Sequence, residues 1–210
     1  MDKPSLHICQ SSLIKELLTR LSDKNTKPAE FSELVYLISL FLINEALEDM
    51  PVCFVDVETP LSRAYCPLID ARIGFFPILR AGIPMGNAAQ KLLPSAGVYH
   101  LGFRRDERTQ VAAPYYTNCP TAEQKVERCI ILDPMLATGG SAGQAIRQLK
   151  GWKFSCITFV GILASQQGLD RLRREHPDVP VFLAGLDPKL NDKGYIIPGL
   201  GDAGDRIYGT

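Results

Sequence analysis

The chain has 210 residues, a length typical of one compact domain with a substantial hydrophobic core, and we expect a single domain over 1–210. Its 23 Lys and Arg residues equal its 23 Asp and Glu residues, which argues against nucleic acid or an anionic membrane as a partner. Six scattered cysteines without metal-ligand spacing, and a first segment unlike a secretory signal, indicate reduced thiols and a cytoplasmic location.

Two helices are predicted in the N-terminal part of the chain. Ser11 or Ser12 can cap the first, and Pro28 suits the first turn of the second. The second contains the most apolar stretch, Leu34 to Ile43, about half of the roughly 20 residues that a bilayer crossing needs. We interpret this stretch as a buried helix that either belongs to the core or forms a subunit interface.

Beyond these helices, short apolar segments alternate with helical patterns, which indicates an α/β fold with a mostly parallel sheet. A short β-rich run precedes them over Val52 to Val57. The predicted strands are Ile73 to Leu79, Val98 to Phe103, Cys129 to Leu132, Ser155 to Leu163 and Val179 to Leu183, with helices at about 83–93, 141–150 and 166–175. The segment from Arg105 to Pro120 is interpreted as a projecting hairpin or flexible arm. The segment from Asp187 to Thr210 is predicted to be an ordered loop, because it has too many apolar residues for a solvated tail.

An anion site is indicated where the strand ending at Leu132 runs into a loop and then a helix that opens near Ser141. Gly139 and Gly140 let phosphate approach the free N–H groups of the helix N-terminus, and Thr138 and Ser141 add hydroxyl donors. No lysine follows the glycines, which disfavours a kinase or ATPase. Asp133 can accept hydrogen bonds from sugar hydroxyls, so a ribose 5-phosphate would suit both features. An ordinary helix-entry turn remains the alternative from these residues alone.

Arg80 follows another predicted strand and precedes a helix, in the string FFPILRAGIPMG. Ligands of open α/β sheets collect at the carboxyl ends of the strands, so Arg80 and the Asp133 loop can face one crevice. A guanidinium there can bind pyrophosphate oxygens as a fork. Arg105 stands in a similar position within LGFRRDERT, although such an arginine-rich run is more often a solvated surface.

Three strings together carry a family resemblance: PILRAG, ILDPMLATGGSA and GYIIPGLGDAGDRIYGT. They resemble the pyrophosphate, PRPP and uracil elements of uracil phosphoribosyltransferases, and the likeness spans most of the chain. The resemblance implies the type I phosphoribosyltransferase fold, with N-terminal helices, a projecting β-arm and a C-terminal base-binding loop. It implies transfer of the 5-phosphoribosyl group of PRPP to uracil, giving UMP and pyrophosphate in pyrimidine salvage.

The resemblance also implies roles for individual residues. The implied PRPP-binding set is Arg80, Arg105, Asp133, Pro134, Met135, Leu136, Ala137, Thr138, Gly139, Gly140, Ser141 and Asp202. The implied uracil-binding set is Ile196, Gly201, Asp202 and Ala203, and the residues closest to the chemistry are Asp133, Asp202 and Arg105. Mg²⁺ is implied as a cofactor carried by PRPP, with no dedicated set of protein ligands. Asp205 and Arg206 are expected to pair with each other.

The resemblance further implies a homodimer or larger homo-oligomer, and GTP as an activator in some members. The main alternative is a PRPP-sensing regulator that binds RNA on the same fold, which the balanced charge disfavours. A purine or orotate phosphoribosyltransferase is disfavoured by the GLGDAGD string. An inactive domain is disfavoured by the joint presence of Asp133, Thr138, Arg80, Arg105 and Asp202.

Overall fold

A computed structural model describes residues 6–105 and 112–210, except for the side chains of residues 104, 105, 112 and 113. Its helices are α1 (Ser12–Ser22), α2 (Pro28–Leu47), α3 (Ile83–Leu92), α4 (Gly140–Gly151), α5 (Gln166–Glu175) and α6 (Ala203–Tyr208), with a 3-10 turn at Ala122–Gln124. Its strands are β1 (Leu6–Ile8), β2 (Val52–Glu58), β3 (Arg63–Ile69), β4 (Ile73–Leu79), β5 (Gly97–Val98), β6 (Leu101–Arg105), β7 (Ala112–Thr117), β8 (Arg128–Leu132), β9 (Met135–Leu136), β10 (Ile157–Ser165), β11 (Val181–Asp187), β12 (Lys189–Leu190) and β13 (Ile196–Ile197).

The central sheet has the strand order β1-β11-β10-β8-β4-β6-β7, with β5 beside β4 and β9 beside β10. Its strand pairs are parallel except for β6 with β7, which are antiparallel. The predicted α/β class with a mostly parallel sheet is therefore confirmed. Because β4 and β8 are parallel neighbours, Arg80 and Asp133 follow their carboxyl ends at the same edge of the sheet.

Helices cover both faces of the sheet, as the alternation along β8 shows. Ile130 and Leu132 belong to a cluster with α1, α2 and α3, whereas Cys129 and Ile131 belong to a cluster with α4 and α5. Side chains of a strand alternate between the two faces, so the unbroken apolar run of β8 is explained by cover on both sides. The apolar stretch of α2 lies in the first cluster, which places most of it in the core. No described helix meets the length and apolarity needed to cross a membrane.

Several predicted boundaries are confirmed, and others need correction. The strand Ile73–Leu79 and the helix Gln166–Glu175 have the predicted limits, and Pro28 opens α2. Ser11 occupies the N-cap of α1, but its side chain accepts no capping bond. The single strand predicted from Val98 to Phe103 is divided into two strands, β5 and β6. The gap lies opposite Phe76 and Pro77 of β4, and Pro77 has no N–H to donate to the ladder.

The C-terminal segment was predicted to be loop throughout, and this was wrong. It contains the antiparallel pair β12 and β13 and the six-residue helix α6. These elements are too short to show a hydrophobic period in the sequence, and α6 depends on its two ends instead. Asp202 caps its first turn and Gly209, at φ 69°, ends it. The predicted arm is represented by β6 and β7, whose connecting residues 106–111 lie outside the described part of the chain.

Candidate active site

An open cavity of about 450 Å³ lies at the carboxyl ends of β4 and β8, between the loop that leads into α4 and the C-terminal segment. This volume is that of a typical small-molecule pocket. The predicted site residues on its wall are Arg80, Asp133, Met135, Ala137, Ser141, Ile196, Gly201, Asp202 and Ala203. Residues from three distant parts of the sequence, each with its own predicted role, thus meet in one space.

Arg80 is half exposed on the cavity wall and is held by two residues of the C-terminal helix. Its Nη2 lies 3.4 Å from Oδ1 of Asp205, and its Cζ lies 5.4 Å from the ring centre of Tyr208. The Tyr208 hydroxyl donates to the Arg80 carbonyl over 3.3 Å. These are long contacts between half-exposed groups and contribute little energy, so an incoming anion can compete for the guanidinium.

Asp133 is the buried carboxylate of the site, with 8 % of its surface exposed. One carboxylate oxygen accepts a long hydrogen bond, 3.4 Å, from the Met135 N–H. Burial raises the pKa of Asp133 to about 7, and this weak bond only partly opposes the effect. A carboxylate buried at such a cost on the wall of a cavity is suited to hydroxyl donors supplied by a ligand.

The loop from Pro134 to Ser141 enters α4 through Gly139, whose φ of 75° favours glycine. Met135, Ala137 and Ser141 reach the cavity, whereas Pro134 and Leu136 are buried on the protein side. The Pro134 carbonyl accepts from the backbone N–H groups of β10. Thr138 and Gly140 stand at the helix entrance, where the first N–H groups of α4 have no partners within the helix.

Ser165 of β10 and Arg171 of α5 bond this loop on its protein side, and no periodic pattern in the sequence indicates their role. The buried Ser165 hydroxyl donates to the Ala137 carbonyl over 2.5 Å and accepts the Gly168 N–H over 2.8 Å. Arg171 Nη1 donates to the Thr138 carbonyl over 3.3 Å, while its Nε bonds Glu175. The Arg171 side chain holds the pKa of Glu175 below its ordinary value. Ser165 at the end of β10 and Arg171 of α5 therefore fix two of the loop's carbonyl groups.

The C-terminal segment forms the opposite wall. Ile196 and Ala203 are buried there, and the Gly199 N–H donates to Oδ2 of Asp187 at the end of β11 over 2.9 Å. Asp202 is exposed and serves as the N-cap of α6, since its Oδ1 accepts the Asp205 N–H over 2.9 Å. Lys193 also lines the cavity, a cation that the sequence reasoning did not single out.

Two expectations about arginines turn out differently. The expected pair between Asp205 and Arg206 is not what the structure has: Asp205 contacts Arg80, and Arg206 donates to backbone carbonyls. Arg105 ends β6 beside β4, but its side chain lies outside the described part of the structure, so its predicted role stays a prediction. Phe103 of the same strand lines the cavity.

Comparison with solved structures defines the class of this fold. The AQ2163 protein of Aquifex aeolicus superposes with a TM-score of 0.89 at 33% identity, covering 97% of both chains. Adenine phosphoribosyltransferase of Trypanosoma brucei superposes with a TM-score of 0.56 at 14% identity, over 95% of this chain and 89% of that one. The second likeness concerns the fold alone. Together with the loop and sheet described above, it defines the type I phosphoribosyltransferase fold.

The sequence comparisons narrow the class. The family model for uracil phosphoribosyltransferase matches residues 8–210. Proteins named uracil phosphoribosyltransferase are 48% identical in a Roseiflexus species (strain RS-1), over 97% of both chains, and 47% identical in Dictyoglomus thermophilum, over 94% of this chain and 96% of the other. This chain belongs to the uracil phosphoribosyltransferase family.

Proposed function

We propose that this chain transfers the 5-phosphoribosyl group of PRPP to uracil, giving UMP and pyrophosphate. The observation that carries the proposal is the single cavity in which Arg80, the Asp133 loop and the C-terminal segment meet, in a chain of this family. We assign the predicted site residues on the cavity wall to a phosphate side, a sugar side and a base side. That is the arrangement a phosphoribosyl transfer requires.

On the PRPP side, the N-terminus of α4 binds the 5-phosphate and Asp133 accepts hydrogen bonds from the ribose hydroxyls. Arg80 binds the pyrophosphate, leaving its long contact with Asp205 when the anion arrives. As the bond between the anomeric carbon and the pyrophosphate oxygen breaks, the sugar gains positive charge and the pyrophosphate gains negative charge. Arginine placed at the leaving group favours that charge separation, with Arg105 proposed as the second such cation.

On the base side, Ile196 packs against the ring and the backbone of Gly201 and Ala203 complements the edge of uracil. Uracil presents carbonyl acceptors and an N3–H donor. Cytosine carries an amine where uracil has a carbonyl, so a backbone donor would face another donor. A buried unpaired polar group costs about 1–3 kcal/mol, which predicts preference for uracil over cytosine.

Mg²⁺ is proposed to enter with PRPP rather than to be resident. Within residues 6–105 and 112–210 no cluster of three potential ligands is found. Mg²⁺ needs only one or two carboxylates when phosphates supply other oxygens, and Asp202 on the cavity wall fits that need. The ion would supply charge neutralisation at the pyrophosphate.

The reaction is tested by incubating the protein with PRPP, Mg²⁺ and radiolabelled uracil and separating the products. The expected result is UMP that depends on PRPP. Conversion absent under all conditions, although the folded protein binds PRPP, would contradict the proposed activity.

Asp202 has two roles that substitution can separate. Asp202→Asn is expected to keep the cap of α6, since Asn is as good an N-cap as Asp, but to lower turnover at least about tenfold through loss of charge. Asp202→Ala loses the cap as well and is expected to lower the free energy of unfolding by about 1 kcal/mol more. Urea unfolding and initial rates of both variants check this. Equal rates for wild type and Asp202→Asn would remove Asp202 from the site.

A homo-oligomer is proposed from the hairpin of β2 and β3, which pairs with itself and not with the central sheet. Its large exposed apolar side chains are Val52, Phe54, Val57, Leu61, Tyr65, Leu68 and Ile69. An isolated two-stranded hairpin is marginally stable in water, so we propose that a second copy covers it.

Phe54→Lys is accordingly expected to lower the molar mass measured by light scattering, because it places a charge at the proposed contact. Leu13→Lys is the control, because Leu13 is a similarly exposed apolar residue on α1. A wild-type mass equal to the 23.2 kDa chain would contradict self-association.

The cellular location and the effect of GTP are also proposals. A cytoplasmic location is proposed from the six free cysteines. Activation by GTP stays a prediction, tested by adding GTP to the product assay. The relatives reported above carry the enzyme's name and give the RNA-binding alternative no support.

A further inference from the structure

Arg206 joins the C-terminal wall of the cavity to the end of α1 and the turn that follows it. Its Nη1 donates to the carbonyl oxygens of Leu21, at 2.8 Å, and Leu200, at 3.0 Å. Its Nη2 donates to the carbonyl oxygens of Asp23, at 2.5 Å, and Thr26, at 3.5 Å. One side chain thus bonds backbone groups that are about 180 residues apart in the sequence.

The guanidinium is also packed on an aromatic ring. Its Cζ lies 4.3 Å from the centre of the Phe31 ring, and Phe31 of α2 is fully buried. Burial lowers the pKa of Arg206, and its guanidinium donates to the carbonyl oxygens of four residues. The planar guanidinium suits this site, because its N–H donors point in several fixed directions while its face stacks on the ring.

The bond to Leu200 matters most for the cavity. The Leu200 carbonyl and the Gly201 N–H belong to one planar peptide unit, so fixing the oxygen also fixes the direction of the N–H. Gly201 lies on the cavity wall, and a Cβ placed on it would first meet the Arg206 side chain at 3.6 Å. The orientation of the proposed base-binding backbone is therefore tied to the position of Arg206.

We propose that Arg206 is the positioning residue of the uracil site, which orients the Leu200–Gly201 peptide against the N-terminal helices before uracil binds. The inference rests on the proposed assignment of uracil to Ile196 and Gly201–Ala203. It implies that the Arg206 side chain acts mainly on the base, because its bonds go to Leu200 and to the end of α1 and the turn after it, and not to the loop that enters α4.

Arg206→Lys tests the proposal, because it keeps the charge and removes the fork. We expect kcat/KM for uracil at saturating PRPP to fall at least about tenfold and kcat/KM for PRPP at saturating uracil to change less than about threefold. Preference for uracil over cytosine should fall as well. Arg20→Lys is the matched control, since Arg20 of α1 bonds the exposed Glu30 and should leave both constants unchanged. Equal losses for both substrates, or no loss for uracil, would overturn the proposal.

Two further variants keep the outcome clear. Should Arg206→Lys fail to fold, Phe31→Leu leaves the guanidinium and its acceptors in place and removes only the ring beneath them. It is expected to show the same selective loss for uracil, to a smaller extent, and no selective loss would count against the proposal. Ile196→Ala tests the uracil site itself. A uracil defect in Ile196→Ala without one in Arg206→Lys would reject the role of Arg206 alone, and no defect in either would reject the site assignment.

Discussion

Asp133→Asn is expected to make the protein more stable at about pH 8 while removing most of its activity. Burial raises the pKa of Asp133 from its ordinary 3.8 to about 7. A carboxyl whose pKa is higher in the folded than in the unfolded state contributes to the free energy of unfolding at a pH below the unfolded pKa. This contribution to stability is lost as the pH rises through the folded-state pKa of about 7. The full difference is about 4 kcal/mol, from 1.36 kcal/mol for each pKa unit.

The neutral amide avoids that loss, so the stability gained by Asp133→Asn should be near zero at about pH 4 and a few kcal/mol at about pH 8. Urea unfolding across this range measures it. Asp178→Asn is the control with opposite sign, because Lys150 holds the pKa of the half-exposed Asp178 below its ordinary value. A destabilised Asp133→Asn at about pH 8 would contradict the raised pKa of this buried carboxylate.

The same substitution should lower kcat/KM for PRPP by about a hundredfold, because the ribose hydroxyls lose a charged acceptor. Stability and activity would then move in opposite directions, which is typical of a group kept for binding and not for folding. A variant that loses both would instead indicate a structural role for Asp133.

Gly168→Ala is expected to damage PRPP binding from a position outside the cavity wall. A Cβ at Gly168 would overlap the Ala137 carbonyl oxygen and lie 2.7 Å from that of Leu136. Both are backbone atoms, so α5 must move away from the loop that enters α4. We expect the free energy of unfolding to fall by about 3 kcal/mol and KM for PRPP to rise at least about tenfold.

Gly151→Ala is the control for this substitution. A Cβ at Gly151, in the last turn of α4, meets nothing within 4 Å. Its effect should stay within about 0.5 kcal/mol, with unchanged kinetics. An unchanged KM for PRPP in Gly168→Ala would show that the loop does not depend on its contact with α5.

Much of the fold could be predicted because its strands and longer helices carry a strong local pattern. The strand Ile73–Leu79 and the helix Gln166–Glu175 were placed at their observed limits. The loop from Asp133 to Ser141 could be placed between a strand and a helix, because glycines and hydroxyl residues follow an apolar run. These signals lie within about ten residues of one another.

The rest depends on partners that are distant in the sequence. The role of Arg206 is set by carbonyl groups of residues 21–26, and that of Ser165 by the carbonyl of Ala137. Backbone acceptors are present at every residue, so no pattern marks which one an arginine will use. Short elements such as β1 and α6 escape prediction for a related reason, since pairing with β11 and two caps define them.

The most direct test of the account is pyrophosphate release from PRPP and Mg²⁺ with uracil, cytosine, orotate and hypoxanthine offered separately, for the wild type and for Asp202→Asn. A uracil site on the C-terminal segment predicts release and nucleotide formation with uracil alone, and rates at least about tenfold lower in the variant. Turnover of hypoxanthine or orotate at the rate of uracil, or equal turnover by wild type and variant, would contradict a uracil site built on the C-terminal segment.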